Sequence, residues 1–453
     1  MTCSAPKRSR KAWFPLLVAG LLAAPASQAM TLSEAYERAQ QLDPAVASAR
    51  AQYESDVEAG TLERATLRPV ISANGKYEYA RTESDGVFGS TDDVSNADDP
   101  YETWSAGLQA RQPLFRLDWF ARGERADALD QLTAIYVSDR RQQILLRVTQ
   151  RYFDVLNAQD QLSQASAEAK AVRESLEDTR KRYEVELVPG TDLKEAQARD
   201  DLAQARMLSA NRALENARDA LDEITGNGRA PLPQIAADVV FPPLEPAKVE
   251  DWVKATRAQN PRVLQAKQQL VIAKADYRSR VSDAAPTLDL VGSISRSDDS
   301  EFAFGQRSDD SRIGVELNVP LYAGGAVSAA KRQAAAQERL AEAEYNRTAL
   351  EAERQTRQLF NQVQTAYAET EAYNKAWISA QAAEKATRAG YDAGTRTITD
   401  VLDAQSRTVQ ARLNYDTTRY SLLLSLLQLK ESVGALTPQN LAEIDRLLQA
   451  APQ

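Results

Sequence analysis

Two periods of hydrophobicity alternate along this chain and divide it into elements. Residues 31–67 carry Leu32, Ala35, Tyr36, Ala39 and Leu42 at helical spacing in a run rich in Ala, Glu, Arg and Gln, which predicts a helix stopped by Pro69. From Val70 to Ala80 the period drops to two. Ile71, Ala73, Gly75, Tyr77 and Tyr79 alternate with Ser72, Asn74, Lys76 and Glu78, a strand with one apolar and one polar face. A loop rich in Asp, Ser and Gly follows over roughly 81–101. A second alternating strand then sets Trp104, Ala106, Leu108 and Ala110 against Thr103, Ser105, Gln109 and Arg111, closing with Gln112-Pro113-Leu114-Phe115. From about 119 to 187 no proline interrupts a helical composition, and at 1.5 Å per residue that helix is about 100 Å long. Val188-Pro189-Gly190 breaks it, and a return helix runs from 192 to about 225.

After a proline-bearing linker the order starts again. A helix is expected over about 248–282, a strand from Thr287 to Ser295 with Leu288, Leu290 and Ile294 on one face, and an acidic loop over 297–310. Next comes a strand with Ile313, Val315, Leu317 and Val319 opposite Arg312, Glu316 and Asn318, then a proline-free helix over 326–389 and a return helix over 397–433. Landmarks superpose. Asp43-Pro44 and Pro69 fall on Asn260-Pro261 and Pro286 at a shift of 217, and Gln112-Pro113-Leu114-Phe115 falls on Val319-Pro320-Leu321-Tyr322 at 207. The chain is therefore an internal duplication. Its first repeat covers 30–230 with a β-hairpin at 69–115, and its second covers 248–436 with a hairpin at 286–322. A linker at 231–247 and a tail at 437–453 complete it.

The sharpest match lies where each long helix turns back. Gly390 and Gly394 bracket the second turn, as glycine tolerates the left-handed backbone that ends a helix. Thr397 or Thr399 caps the next helix, whose first turn brings Asp400 and Asp403 onto one face near the positive end of the helix dipole. At a shift of 208, Tyr183, Thr191-Asp192 and Glu195 fall on Tyr391, Thr399-Asp400 and Asp403, and Ala196-Gln197-x-Arg199 falls on Ala404-Gln405-x-Arg407. Taken alone, such acids are ordinary helix N-terminal residues.

Composition narrows the function. Lys7, Arg8, Arg10 and Lys11, the apolar run Ala12–Ala24 and Ser27-Gln28-Ala29 read as a secretory signal over 1–29, cut after Ala29. Removing those four basic residues, with no acidic one, moves the formal charge from −9 to −13. Cys3 leaves with the signal. Without cysteine or histidine, the mature chain has no disulfide, thiol catalysis or imidazole metal site, and no cofactor is expected. Its acidity argues against nucleic acid. No stretch of about 18 apolar residues offers a transmembrane helix, which leaves a β-barrel as the only way to span a membrane. Four strands cannot close a useful barrel, and lipid does not tolerate an open edge, so strands must come from several chains. Two chains would give eight strands and a filled interior, three would give twelve and a lumen. A periplasmic adaptor or helical scaffold with long hairpins is the alternative reading. A glycosidase using paired carboxylates is a remote third.

The repeat order over residues 30–435 and the motif Tyr391-x-x-Gly394-Thr395-Arg396-Thr397-Ile398-x-Asp400-Val401-Leu402-Asp403-Ala404 resemble the outer-membrane efflux protein family, the TolC family of channel-tunnels. The resemblance implies a mainly α fold with β structure. In it, a homotrimer forms a twelve-stranded barrel in outer-membrane lipid, a long periplasmic α-helical barrel, and a mixed collar from the linker and C-terminal segments. It implies a passive exit duct for drug efflux or type I secretion, with no enzymatic activity. A periplasmic adaptor and an inner-membrane ABC or proton-driven transporter would recruit it. Asp400 and Asp403 would line the periplasmic entrance and admit block by a cation. Tyr391 and Arg396 would close the tip against Asp192 and Thr191. Val185-Glu186-Leu187 and Ala393-Gly394-Thr395 would face the adaptor. Two departures stand out: Glu186 replaces a glycine common in the family, and Glu195 makes the entrance more acidic.

Overall fold

Proline sets the first correction to these boundaries. In the computed structural model, which describes residues 29–81, 101–235, 239–298 and 307–449, the expected single N-terminal helix is two: α1 (Leu32–Leu42) and α2 (Pro44–Ala65). Proline lacks the N–H that would continue the helix and pushes its predecessor into extended backbone, seen at Asp43 with φ −67° and ψ 120°. Asp43 then accepts from the backbone N–H of Ala45 at 2.8 Å and caps α2. The secretory signal, the loop acids Asp92, Asp93, Asp98 and Asp99, and Asp299 lie outside the described residues.

The chain continues through β1 (Val70–Ala80), β2 (Tyr101–Phe115), α3 (Trp119–Glu184), α4 (Gly190–Thr225) and the short β3 (Gln234–Ile235). The second repeat supplies α5 (Val249–Gln259), α6 (Pro261–Ser282), β4 (Thr287–Asp298), β5 (Arg307–Asn318), α7 (Ala326–Asp392) and α8 (Ile398–Ser432). Its first helix is broken at Asn260-Pro261 just as α1 and α2 are at Asp43-Pro44, with the Asn260 side chain accepting from Val263 N–H at 3.0 Å. The tail forms α9 (Pro438–Leu447) and β6 (Leu448–Gln449), and β6 pairs antiparallel with β3, tying tail to linker.

The two hairpins join into one antiparallel sheet in the order β1-β2-β4-β5. Residues directly opposite share a face, so the register sorts the side chains. One face carries Ile71, Ala110, Gly292 and Ile313 in one row, Ala73, Leu108 and Ile294 in the next, and Tyr77 opposite Trp104. On the other face, Arg111 of β2 donates to Asp289 of β4 at 2.9 Å and to Glu316 of β5 at 2.8 Å. The strands reach into the stretch expected as an acidic loop at 297–310, with β4 running to Asp298 and β5 starting at Arg307. Arg296 pairs with Asp309, and Arg307 with Asp298 at 2.6 Å, which carries both strands outward by cross-strand ion pairs.

Below the sheet, α3 and α7 run 66 and 67 residues, about 100 Å each. Each packs against its return helix, and the main core lies midway along α3. There Leu32, Tyr36, Leu145, Tyr152, Leu156, Leu221, Leu441 and Leu448 are buried together, drawing α1, α3, α4, α9 and β6 into one collar. Among the described residues, no helix is long and apolar enough to cross a membrane.

Candidate functional site

Each long helix ends in the same hydrogen-bonded turn. At the first tip the Glu186 N–H donates to Tyr183 O at 2.9 Å and the Leu187 N–H to Arg182 O at 2.8 Å. At the second, the Gly394 N–H donates to Tyr391 O at 2.9 Å and the Thr395 N–H to Gly390 O at 2.8 Å. This paired pattern closes a helix through a left-handed residue. Gly394 supplies it with φ 75°, and Glu186 supplies it with φ 60°, alone among the described non-glycine residues in having positive φ. The departure from glycine therefore leaves the backbone of the turn unchanged. At Gly390 the requirement is space: a Cβ there would sit 2.9 Å from Arg396 Cγ, so the Arg396 stem lies directly over it.

The return helices start differently. Thr397, not Thr399, caps α8, with its hydroxyl accepting from the Asp400 N–H at 3.2 Å. The Asp400 carboxylate accepts from the Thr397 N–H and hydroxyl, both at 2.9 Å. This reciprocal box holds the Asp400 carboxyl below the usual carboxylate range, through the Thr397 N–H first and its hydroxyl second. In α4 the cap position is Pro189, which offers no side-chain acceptor. Ile398, Val401 and Leu402 then bury themselves against Ala169 and Val172 of α3 and Ala203 of α4, so the second tip rests on the first coil.

Asp403 is not a free carboxylate. Arg199 of α4 donates to it at 2.9 Å and also holds Glu195 at 3.1 Å. Two acids share one guanidinium, so the added Glu195 raises the acidity of the tip less than its charge alone suggests. Asp400 and Asp403 remain one turn apart on α8, both partly exposed.

The expected closing contacts divide. Tyr391 sits with its ring under Arg182, whose guanidinium carbon lies 4.7 Å from the ring centre, and Arg182 also pairs with Asp178 at 2.9 Å. The Tyr391 hydroxyl is buried without a hydrogen-bond partner, and burial pushes its pKa up. Asp192, with Thr191 donating to it at 3.4 Å, adds to that rise from nearby, yet accepts no bond from Tyr391. No ion pair joins Arg396 to Asp192 within the chain among the described residues. Arg182 and Arg199 are the tip contacts that sequence reasoning missed. Arg199 was visible as the last residue of the repeated Ala-Gln-x-Arg motif, four positions after Glu195. The contact between Arg182 and Tyr391 joins two repeats and has no local signature. Among the described residues, no group of three or more His, Cys, Asp or Glu is placed to hold a metal ion.

Residues 35–227 and 252–435 each match the outer membrane efflux protein family, one match per repeat. The chain belongs to that family. It is 32% identical over 453 residues to outer membrane protein TolC of Vibrio cholerae, covering 97% of this chain and 99% of that one. It is 28% identical to the alkaline protease secretion protein AprF of Pseudomonas aeruginosa over 416 residues, 91% of this chain and 86% of the relative. The Campylobacter jejuni CmeC outer membrane channel has the same fold, with a TM-score of 0.74 at 15% identity over 92% of this chain and 90% of the channel. Family membership makes the chain an outer-membrane exit duct.

Proposed function

We propose that three copies close their sheets into a twelve-stranded barrel in outer-membrane lipid. Their paired helices then form a periplasmic tunnel that serves efflux or type I secretion. The observation that carries this reading is the sheet itself. Strands β1 and β5 end it with open edges, while Ile71, Leu108, Ile294, Ile313, Val315 and Leu317 stand exposed on its apolar side. Lipid tolerates neither an open edge nor a polar outer face, so closure by sister chains satisfies both. Four antiparallel strands also leave β5 opposite in direction to the next chain's β1, so the seam continues the same ladder.

The duct is passive. An inner-membrane ABC or proton-driven transporter supplies energy, and a periplasmic adaptor engages the tips at Val185-Glu186-Leu187 and Ala393-Gly394-Thr395. Export through an N-terminal signal over 1–29 delivers the chain. Asp400 and Asp403 line the entrance, where threefold repetition gives a field that favours cations. Tyr391 and Arg396 close the tip in the assembled trimer, and the exposure of Arg396 leaves it open to a neighbouring chain. Planar-bilayer conductance tests the entrance. A multivalent cation should block the wild type, and Asp400→Ala with Asp403→Ala should abolish the block, whereas unchanged block rejects the assignment. Mature protein that stays monomeric and dissolves without detergent rejects the barrel.

A further inference from the structure

Glu186 stands at the apex of the first tip under three separate disadvantages. A side chain bearing Cβ is held at φ 60°, where glycine is the relaxed choice. Its carboxylate sits just past the negative end of the 66-residue helix α3, where the dipole disfavours an anion. Among the described residues its carboxylate has no hydrogen bond or ion pair, and the neighbouring Arg182 is engaged by Asp178 and the Tyr391 ring. Glu186 is exposed, and its chain neighbours Val185 and Leu187 are 63% and 74% exposed. The second tip presents Ala393, Gly394 and Thr395 on the same backbone and lacks both the charge and the large aliphatic pair.

Resting on the adaptor-docking reading above, we propose that Glu186 is the specificity residue of that surface. It selects an adaptor whose helical-hairpin loop brings a lysine or arginine between apolar neighbours. Charge and apolarity together define the occupant. Val185 and Leu187 call for aliphatic cover, while an unpaired carboxylate between them, once desolvated, calls for a cation. A second trimer meeting tip to tip would set like charges against each other and is disfavoured by the same residue.

The test uses the detergent-solubilised full-length trimer and three synthetic helical hairpins displayed as trimers, identical but for arginine, glutamine or glutamate at the centre of an otherwise aliphatic loop. Wild type should bind the arginine hairpin about fivefold or more tightly than the glutamate one, with a preference that shrinks as salt rises. Glu186→Gln should erase the preference and Glu186→Lys invert it. Glu186→Gly should erase it while raising the thermal midpoint, which separates loss of charge from loss of fold. The arginine preference surviving in Glu186→Gln, or equal binding of all three hairpins to wild type, overturns the specificity role and leaves tip docking standing. Binding by none of them, or binding indifferent to Val185→Ser with Leu187→Ser, overturns docking at this tip and the specificity proposal with it.

Discussion

The return helices α4 and α8 descend from one repeated unit, yet among the described residues α8 buries both members of an ion pair, while the acids paired at α4, Asp200 and Glu168, are held by exposed arginines. Asp416 on α8 is almost fully buried and accepts from Arg412 at 2.7 Å and from buried Arg419 at 3.2 Å. Arg412 lies 4.3 Å above the Trp377 ring of α7, which itself stacks on Tyr415 at 5.9 Å. One turn further on, the Tyr420 hydroxyl donates to Asp160 of α3 at 2.6 Å. At the duplicated shift of 208, the place of Asp416 on α4 is Leu208, an exposed residue. A duplicated sequence therefore kept its turn and its length while its two coils diverged in role. Helix α8 is fastened to both α7 and α3, and α4 is fastened chiefly to α3.

The largest effect follows from that fastening. Asp416→Ala removes the buried carboxylate that accepts from both Arg412 and Arg419 and should destabilise by about 3–5 kcal/mol, the range for breaking a buried ion pair from one side. Leu208→Ala at the equivalent site should stay within about 0.5 kcal/mol. The temperature at which the trimer loses its helical circular dichroism reads both. Similar losses for the two would mean that the coils are not differentiated as described.

A smaller effect belongs to the proposed entrance. Arg199→Gln releases Asp403 and Glu195 from their shared cation and adds one unbalanced negative charge per chain, so block by a multivalent cation should strengthen severalfold. Arg407→Gln, the matching change in the second copy, removes a residue that holds neither acid in the chain and should shift block less. Equal shifts would reduce Arg199 to a contributor to net charge alone.

The strand and helix plan was legible because alternation and helical spacing are local. Val70–Ala80 emerges with the boundaries its alternation predicts. The Asp43-Pro44 break was written in the sequence too, since a proline after an Asn or Asp signals a cap, but helical spacing on both sides masked it. The positive φ of Glu186 was not legible from residue type, which argues against it. It followed only from the position of Glu186 opposite Gly394 in the repeat. The sharing of Arg199 between Glu195 and Asp403, and the seat of Tyr391 on Arg182, arise where helices from different repeats meet, at 204 and 209 positions apart. No periodicity reaches that far.

Capping separates the tips by less. Thr397→Ala removes the box at the start of α8 and should cost about 1 kcal/mol, seen as faster amide exchange over 398–401. It makes the second tip resemble the first, where Pro189 already provides no side-chain acceptor. If exchange at the two tips differs as much in the variant as in wild type, the cap is not what distinguishes them. Glu186→Gly on the other side should gain about 1 kcal/mol or less, since relief of the left-handed strain is partly offset by the freer unfolded chain.

The same box gives the smallest effect, a pH dependence with a definite sign. The Asp400 carboxyl is depressed in the folded chain because its ionised form accepts from Thr397. A group depressed on folding stabilises above its unfolded pKa and loses that contribution as pH falls through its folded one. Protection of the 398–401 amides should therefore hold from neutral pH down to the ordinary carboxylate range and fade below it. Asp400→Asn keeps a neutral acceptor for the Thr397 N–H and should flatten this dependence while retaining part of the protection. The amides that open α4, with no such box behind Pro189, serve as the internal control. A parallel fade at both tips would assign the effect to general acid loosening of the coil, and a fade confined to α8 would assign it to Thr397 and Asp400.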